Sequence, residues 1–185
     1  MADSREDPRV FLLDPVERGI IPLDGLHISK SLRKFMRSMP FRVTFDKAFS
    51  EVISKCAEAA PGRENTWISG GIEYLYGRLH ALGNAHSVEI WENNKLVGGL
   101  YGVSIGGAFF GESMFSRADN TSKVALVYLV ERLNAAGYKL LDTQFITDHL
   151  RTMGAIEISR HNYQELLREA IKLKTSFHLA PNKEP

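Results

Sequence analysis

A single cysteine, Cys56, stands in the 185 residues. One thiol excludes an internal disulfide framework and a cysteine-rich metal site, and it makes a reducing, cytoplasmic setting the expectation. Long apolar runs are missing too. The run of note, Val124–Val130, is far shorter than the ~20 residues that cross a bilayer. Nor do the first residues read as a secretion signal, because Asp3, Arg5, Glu6, Asp7 and Arg9 leave no apolar core among them. Internal repeats and low-complexity tracts are also lacking. What remains is an ordinary globular composition, 44% hydrophobic and 24% charged, in a chain long enough to bury a substantial core.

The net charge of +1 hides an asymmetry. Residues 1–24 hold six acids and three bases, whereas Gly25 to Phe45 holds five Lys/Arg and no Asp or Glu. With Pro8, Pro15, Gly19 and Pro22, residues 1–24 read as an irregular N-terminal segment, and 25–185 as one domain. Ser29 to Met39 fits a helix, capped by Ser29 or Ser31 and stopped by Pro40. At 100° per residue, Lys30, Arg33, Lys34 and Arg37 share one face and Leu32, Phe35, Met36 and Met39 the other. A local basic ridge of this kind suits an anionic partner, although many solvated helices share it.

Further helices are expected over about 46–59, 71–82, 120–135, 147–153 and 162–172. Strands are expected over 86–92, 95–104, 108–115, 139–145 and 156–159, with an Asn93-Asn94 hairpin turn. A meander, a buried helix, a strand and a helix indicate an α+β sandwich, a mixed and largely antiparallel sheet flanked by helices. The element order is that of N-acetyltransferase-like acyltransferases, an analogy that does not fix the chemistry.

Several separate strings are more specific. In order they are Thr66-Trp67-Ile68, His86-Ser87-Val88-Glu89-Ile90-Trp91, Leu96-Val97-Gly98-Gly99-Leu100-Tyr101-Gly102 and Gly111-Glu112-Ser113-Met114-Phe115-Ser116. Asn120-Thr121-Ser122-Lys123, Leu141-Asp142-Thr143-Gln144, Asp148-His149 and Met153-Gly154-Ala155 follow. Across roughly residues 25–165 this pattern resembles the leucyl/phenylalanyl-tRNA–protein transferase family. The resemblance implies an acetyltransferase-like fold that binds the 3′ end of an aminoacyl-tRNA in place of coenzyme A. It implies transfer of Leu or Phe, sometimes Met, to proteins beginning with Arg or Lys, which marks them for N-end-rule degradation. No metal, organic cofactor or membrane is implied. Longer members carry a Gly-Gly-Asp-rich segment and a Gly-Ile-Phe-Pro-Trp-like string near the N-terminus. Here Gly19-Ile20-Ile21-Pro22 is at best a remnant of the latter.

Aminolysis of an aminoacyl ester needs positioning and help with deprotonating the amine, not a covalent enzyme intermediate. Cys56, on the core stripe of its helix, is a packing residue and not a nucleophile. Asp142 and Gln144, two apart on a predicted strand, share a face. Asp142 would orient Gln144, whose amide oxygen would guide the amine. The bland alternative is a polar strand end capping the next helix. Glu112, in an apolar stretch, would face a basic side chain or amine, or else form an internal ion pair or cap.

Leu100, Met114, Leu126 and Leu129 are candidates for the pocket of the transferred side chain, although core packing explains each of them singly. Relatives carry Met at the Leu100 position and Phe at the Leu129 position. By the resemblance, Trp67 and Tyr76 belong with the terminal adenosine. Lys30, Arg33, Lys34 and Arg37, with Arg42, would track acceptor-stem phosphates. Trp91, His86 and His149 read as structural. Two competing readings stay open. An acetyltransferase using coenzyme A would need glycines that Arg117 to Ser122 lacks. An RNA-binding module without catalysis would make Glu112, Asp142 and Gln144 dispensable.

Overall fold

In the computed structural model, residues 14–38, 41–59 and 66–179 are described. Their strands are β1 (Glu17–Ile20), β2 (Arg42–Phe45), β3 (Ala85–Glu92), β4 (Lys95–Ile105), β5 (Ala108–Ser116), β6 (Leu140–Gln144) and β7 (Ile156–Ser159). They join in one sheet of order β2-β3-β4-β5-β6-β1-β7. Only β5 and β6 run parallel; the other neighbours are antiparallel. The helices are α1 (Lys30–Arg37), α2 (Phe49–Ala57), α3 (Gly70–Ala81), α4 (Thr121–Ala136), α5 (Asp148–Thr152) and α6 (Arg160–Ala170). The expected mixed α+β sandwich is what forms.

Local chemistry sets the boundaries. Ser29 caps α1 by accepting a hydrogen bond from the Leu32 N–H at 3.1 Å, and Leu32 is the helix's buried anchor. Met39 and Pro40, the expected helix end, lie outside the described residues. Asn93 and Asn94 have φ of 48° and 62°, the left-handed pair that closes a two-residue hairpin between β3 and β4. Gly98 is needed for packing: a Cβ there would lie 2.4 Å from the Thr121 side chain, so a larger residue would push α4 off β4.

Helix α4 covers one face of β3, β4 and β5, and nine of its residues are buried. Helices α2 and α3 cover the other face around Phe49, Val52, Ile53 and Cys56. Cys56 is fully enclosed, as its core spacing predicts. With both faces covered, the alternation in β3 does not separate core from solvent, and Ser87 and Glu89 are as buried as Val88 and Ile90. Glu89 accepts hydrogen bonds from the Thr44 hydroxyl and from the Lys47 and Ala48 N–H groups at the start of α2. A helix N-terminus stabilises such a carboxylate. None of the described helices is long and apolar enough to cross a membrane.

One expectation needs correction, and one short strand was not foreseen. The span 1–24 is not irregular throughout, because Glu17–Ile20 forms β1 inside the sheet, between β6 and β7. Its pairing partners lie more than 120 residues away, and four residues between prolines give no local sign of a strand. The short β2, likewise, is held by pairing with β3.

Candidate functional site

The parallel pairing of β5 with β6 ends at Phe110 and Asp142, and beyond that point the two strands are no longer paired. Each then carries an extra residue. In β5, Gly102 pairs with Gly111 but Tyr101 with Ser113, so Glu112 is the bulged residue. In β6, Ile20 pairs with Asp142 but Gly19 with Gln144, so Thr143 is bulged. Bulges redirect side chains and recur beside active sites. Below them lies a cavity of about 260 Å³, lined by residues that include Leu100, Glu112, Met114, Leu126, Leu129 and Gln144.

All four candidate side-chain-pocket residues are therefore on one wall system, joined by Leu141 and Leu150. Leu100, Leu126 and Leu129 are also fully buried members of the main core. Packing and cavity lining are the same surface here, which is why sequence could not separate them.

Asp142 is wholly buried and is not on the cavity wall. The Arg18 guanidinium donates to it from Nη2 at 2.8 Å and from Nε at 3.0 and 3.1 Å. The Tyr163 hydroxyl donates at 2.6 Å, and the Gln144 backbone N–H at 2.7 Å. Burial, then the adjacent Asp142 carboxylate, pushes the Tyr163 hydroxyl above its usual range, so it remains a donor. The strand expectation for Asp142 and Gln144 is corrected accordingly. With Thr143 bulged and Gln144 at φ 62°, the carboxylate reaches the glutamine's backbone and not its side chain. A left-handed non-glycine residue costs conformational energy, so the surrounding contacts must hold it.

The Gln144 side chain turns to Glu112. Its Nε2 donates to Glu112 Oε2 at 3.2 Å and to the Gly111 carbonyl at 3.3 Å. Both partners are acceptors, which fixes the amide orientation and leaves Oε1 without a donor among the described residues. Glu112 also accepts from the Tyr76 hydroxyl. Burial raises the Glu112 carboxyl above the ordinary range, while the bonds from Tyr76 and Gln144 oppose that shift. Burial and the neighbouring Glu112 keep Tyr76 protonated.

Trp67 lines the cavity, but Tyr76 does not; it stands behind Glu112, edge-on to Tyr101 at 5.3 Å between ring centroids. Lys30, Arg33, Lys34 and Arg37 line a separate shallow groove along α1. Arg42 is apart from them on β2, its guanidinium 5.2 Å from the Trp91 ring centroid. Trp91 donates to Thr44 at 2.7 Å, and His86 Nδ1 sits 2.8 Å from Asp46 with its ring stacked on Phe177; both are structural. Arg18 and Tyr163 escaped the sequence reading, since no motif connects either one with Asp142.

The profile of a family described as leucyl/phenylalanyl-tRNA protein transferase matches residues 20–168. A leucyl/phenylalanyl-tRNA–protein transferase of Rhodospirillum rubrum is 55% identical over 177 residues, covering 96% of this chain and 83% of its own. Proteins of the same name from Maricaulis maris and Afipia carboxidovorans are 57% and 52% identical, over 98% and 100% of this chain and 84% and 82% of theirs. Among solved structures, similarity extends to a ribosomal-protein-alanine N-acetyltransferase from Brucella melitensis. Its TM-score is 0.41 at 11% identity, over 56% of this chain and 78% of that one. A conserved protein of unknown function from Staphylococcus epidermidis gives a TM-score of 0.46 at 10% identity, over 77% of this chain and 57% of that one.

Proposed function

This chain belongs to the leucyl/phenylalanyl-tRNA–protein transferase family, and from that premise we propose which donors and acceptors it takes and how its residues divide the work. Its reaction class is aminoacyl transfer from tRNA to protein. The donors are Leu and Phe, with Met as a third, and the acceptors are proteins beginning with Arg or Lys, which transfer marks for N-end-rule degradation.

The observation that carries the division of roles is the convergence of Glu112 and Gln144 on a cavity whose other walls are Leu100, Met114, Leu126 and Leu129. The apolar walls receive the transferred side chain. Shape decides there, at about 1–3 kcal/mol per missing or extra methylene, so a narrow pocket rejects β-branched Ile and Val. Glu112 draws the incoming ammonium, which releases one proton to solvent to become the attacking amine, and its desolvated charge favours an acceptor with a second cation.

The acceptor-only Oε1 of Gln144 receives a hydrogen bond from the attacking amine and aligns it on the ester. An amide is too weakly basic to keep that proton, which passes on to the leaving ribose oxygen directly or through water. Asp142 works through Gln144: pinned by Arg18 and Tyr163, it holds the backbone N–H that sets the glutamine's position. The ester carbon gains an N–C bond and loses its C–O bond, and no covalent enzyme species is required. Trp67 supplies an aromatic face for the terminal adenine, worth about 1–3 kcal/mol by stacking. Tyr76 supports Glu112 from behind and is the weaker candidate for that contact. The α1 ridge, with Arg42, meets acceptor-stem phosphates.

Transfer of labelled Leu, Phe, Met and Ile from charged tRNA to matched peptides beginning with Arg, Lys, Asp or Ala tests this reading. Transfer of the first three to Arg and Lys peptides is expected. Equal transfer to Ala or Asp peptides contradicts the acceptor rule, and equal transfer of Ile contradicts the pocket.

A further inference from the structure

Asp46, His86 and His178 come from three separate parts of the chain: just before α2, within β3, and in the segment after α6. Folding gathers them, and the ligand atoms they offer all lie within 4.8 Å of one another. Asp46 Oδ2 stands 2.8 Å from His86 Nδ1 and 3.1 Å from His178 Nε2. Among the described residues no other group of His, Cys, Asp and Glu converges in this way. None of the three lines the transfer cavity.

Each of them is also held by contacts outside the group. Asp46 has φ of 57°, a left-handed conformation uncommon outside glycine. Its N–H donates to the Ser87 carbonyl at 3.2 Å, and its Oδ1 accepts from the Ser87 N–H at 2.8 Å, which leaves Oδ2 for the imidazoles. The buried His86 ring is stacked on Phe177, with centroids 4.2 Å apart. Phe177 is itself pegged between Phe45 and Phe109, and so sets its neighbour His178 over Asp46. His80 Nδ1 comes only within 3.9 Å of Asp46 and is committed to the Ala85 carbonyl at 2.8 Å, so it is not a further ligand. Contacts of this outer kind orient metal ligands.

The donor set narrows the ion. Two imidazole nitrogens and one carboxylate oxygen suit zinc and its borderline neighbours, whereas calcium and magnesium call for oxygen throughout. With bonds of ~2.0–2.1 Å, tetrahedral ligands stand about 3.3 Å apart, so an ion needs the three atoms to part slightly. His178 can yield, because its side chain is 64% exposed. Access is from the groove that Asp46 and His178 line with Lys47 and Arg132. Those two cations oppose an incoming ion and set the affinity below that of a closed four-ligand site.

We propose that Asp46 Oδ2, His86 Nδ1 and His178 Nε2 coordinate a divalent ion of the zinc class, with water from the groove in the fourth position. Each neutral imidazole carries its hydrogen on its other nitrogen when the ion is bound, and no electron is transferred. The ion is a clasp that fastens the segment after α6 to β3 and to the start of α2. It takes no part in transfer, and the proposal stands apart from the reading of the cavity.

The test uses the full chain, freed of any purification tag and stripped with a chelator. Wild type, His178→Ala and His161→Ala are titrated with zinc, and with cobalt(II) for its absorption spectrum. The wild type is expected to take up one zinc per chain, to show the cobalt bands of a four-coordinate site, and to gain several degrees in Tm with zinc in excess. His178→Ala should bind zinc at least about 100-fold more weakly, beyond what a change outside the ligand set costs, and its Tm should not respond. It should fold and transfer like the wild type, since the substituted side chain is exposed and off the cavity. His161→Ala, which removes an exposed histidine of α6, should keep wild-type affinity. A wild type that takes up less than one zinc per chain, or a His178→Ala variant that binds as tightly, overturns the proposal and leaves the cluster a hydrogen-bonded contact only. Loss of binding in His161→Ala overturns it too, as surface binding elsewhere.

Discussion

Arg18 and Asp142 are separated by 124 residues of sequence and by 2.8 Å in the fold, where the guanidinium of β1 closes on a carboxylate that has no contact with solvent. The pair sits directly behind Gln144, so the first strand of the described chain sets the geometry of the candidate site. Removing one partner of a buried pair leaves an uncompensated charge, which costs about 3–5 kcal/mol. Arg18→Ala should lose stability of that order in urea unfolding and most of its transfer activity. Arg18→Lys should rescue stability in part only, because an ammonium cannot reproduce the two-nitrogen contact.

Glu112 gives a pH signature. Its folded-state pKa is raised by burial, so the folded chain holds this proton more tightly than the unfolded chain. Stability from this group is present at low pH, falls as pH rises between the ordinary carboxylate range and the raised folded value, and is flat above. Glu112→Gln should remove that slope and gain on the wild type as pH rises, measured as Tm across a pH series. Transfer to Arg and Lys peptides should drop at least tenfold, as expected when a charged hydrogen bond is lost. A wild-type acid limb that the glutamine variant lacks would complete the pattern.

Much of this was legible in the sequence, for reasons particular residues make plain. Asn93-Asn94 and the Ser29 cap marked element ends because each satisfies a local backbone need. The strings around Glu112 and Asp142 fall on β5 and β6, the two strands that carry the candidate site. The bulges at Glu112 and Thr143 could not be read, since strand alternation assumes a constant register and an inserted residue leaves no mark in the pattern. Arg18 and Tyr163 reach Asp142 only through nonlocal pairing, which one sequence does not display. Tyr76 lies edge-on to Tyr101 and off the cavity wall, a placement that no local pattern displays.

Leu129 is fully buried and lines the cavity, so shortening it affects both stability and selectivity. Leu129→Ala should destabilise by about 2–5 kcal/mol. Measured below its unfolding temperature, the variant should accept Ile far better relative to Leu, the ratio moving by about tenfold or more per kcal-scale methylene contact removed. Unchanged Leu-to-Ile selectivity would place the transferred side chain elsewhere.

The α1 groove makes an electrostatic prediction. Each phosphate contact contributes about 0.7–0.9 to the slope of log affinity against log salt. Replacing Arg33 and Arg37, both exposed on α1, should flatten the tRNA-binding slope by about 1–2. Folding should be unaffected, because Leu32 supplies the helix's buried contact. An unchanged slope would remove this ridge from the tRNA interface.

The most direct test of the central claim, that transfer takes place where Gln144 meets Glu112, is a single-turnover measurement on Gln144→Ala with tRNA affinity followed in parallel. The predicted result is a transfer rate lower by at least about 100-fold, the scale of removing one preorganised polar group, with tRNA Kd within about twofold of the wild type. A near-wild-type rate would contradict the placement of the chemistry in this cavity.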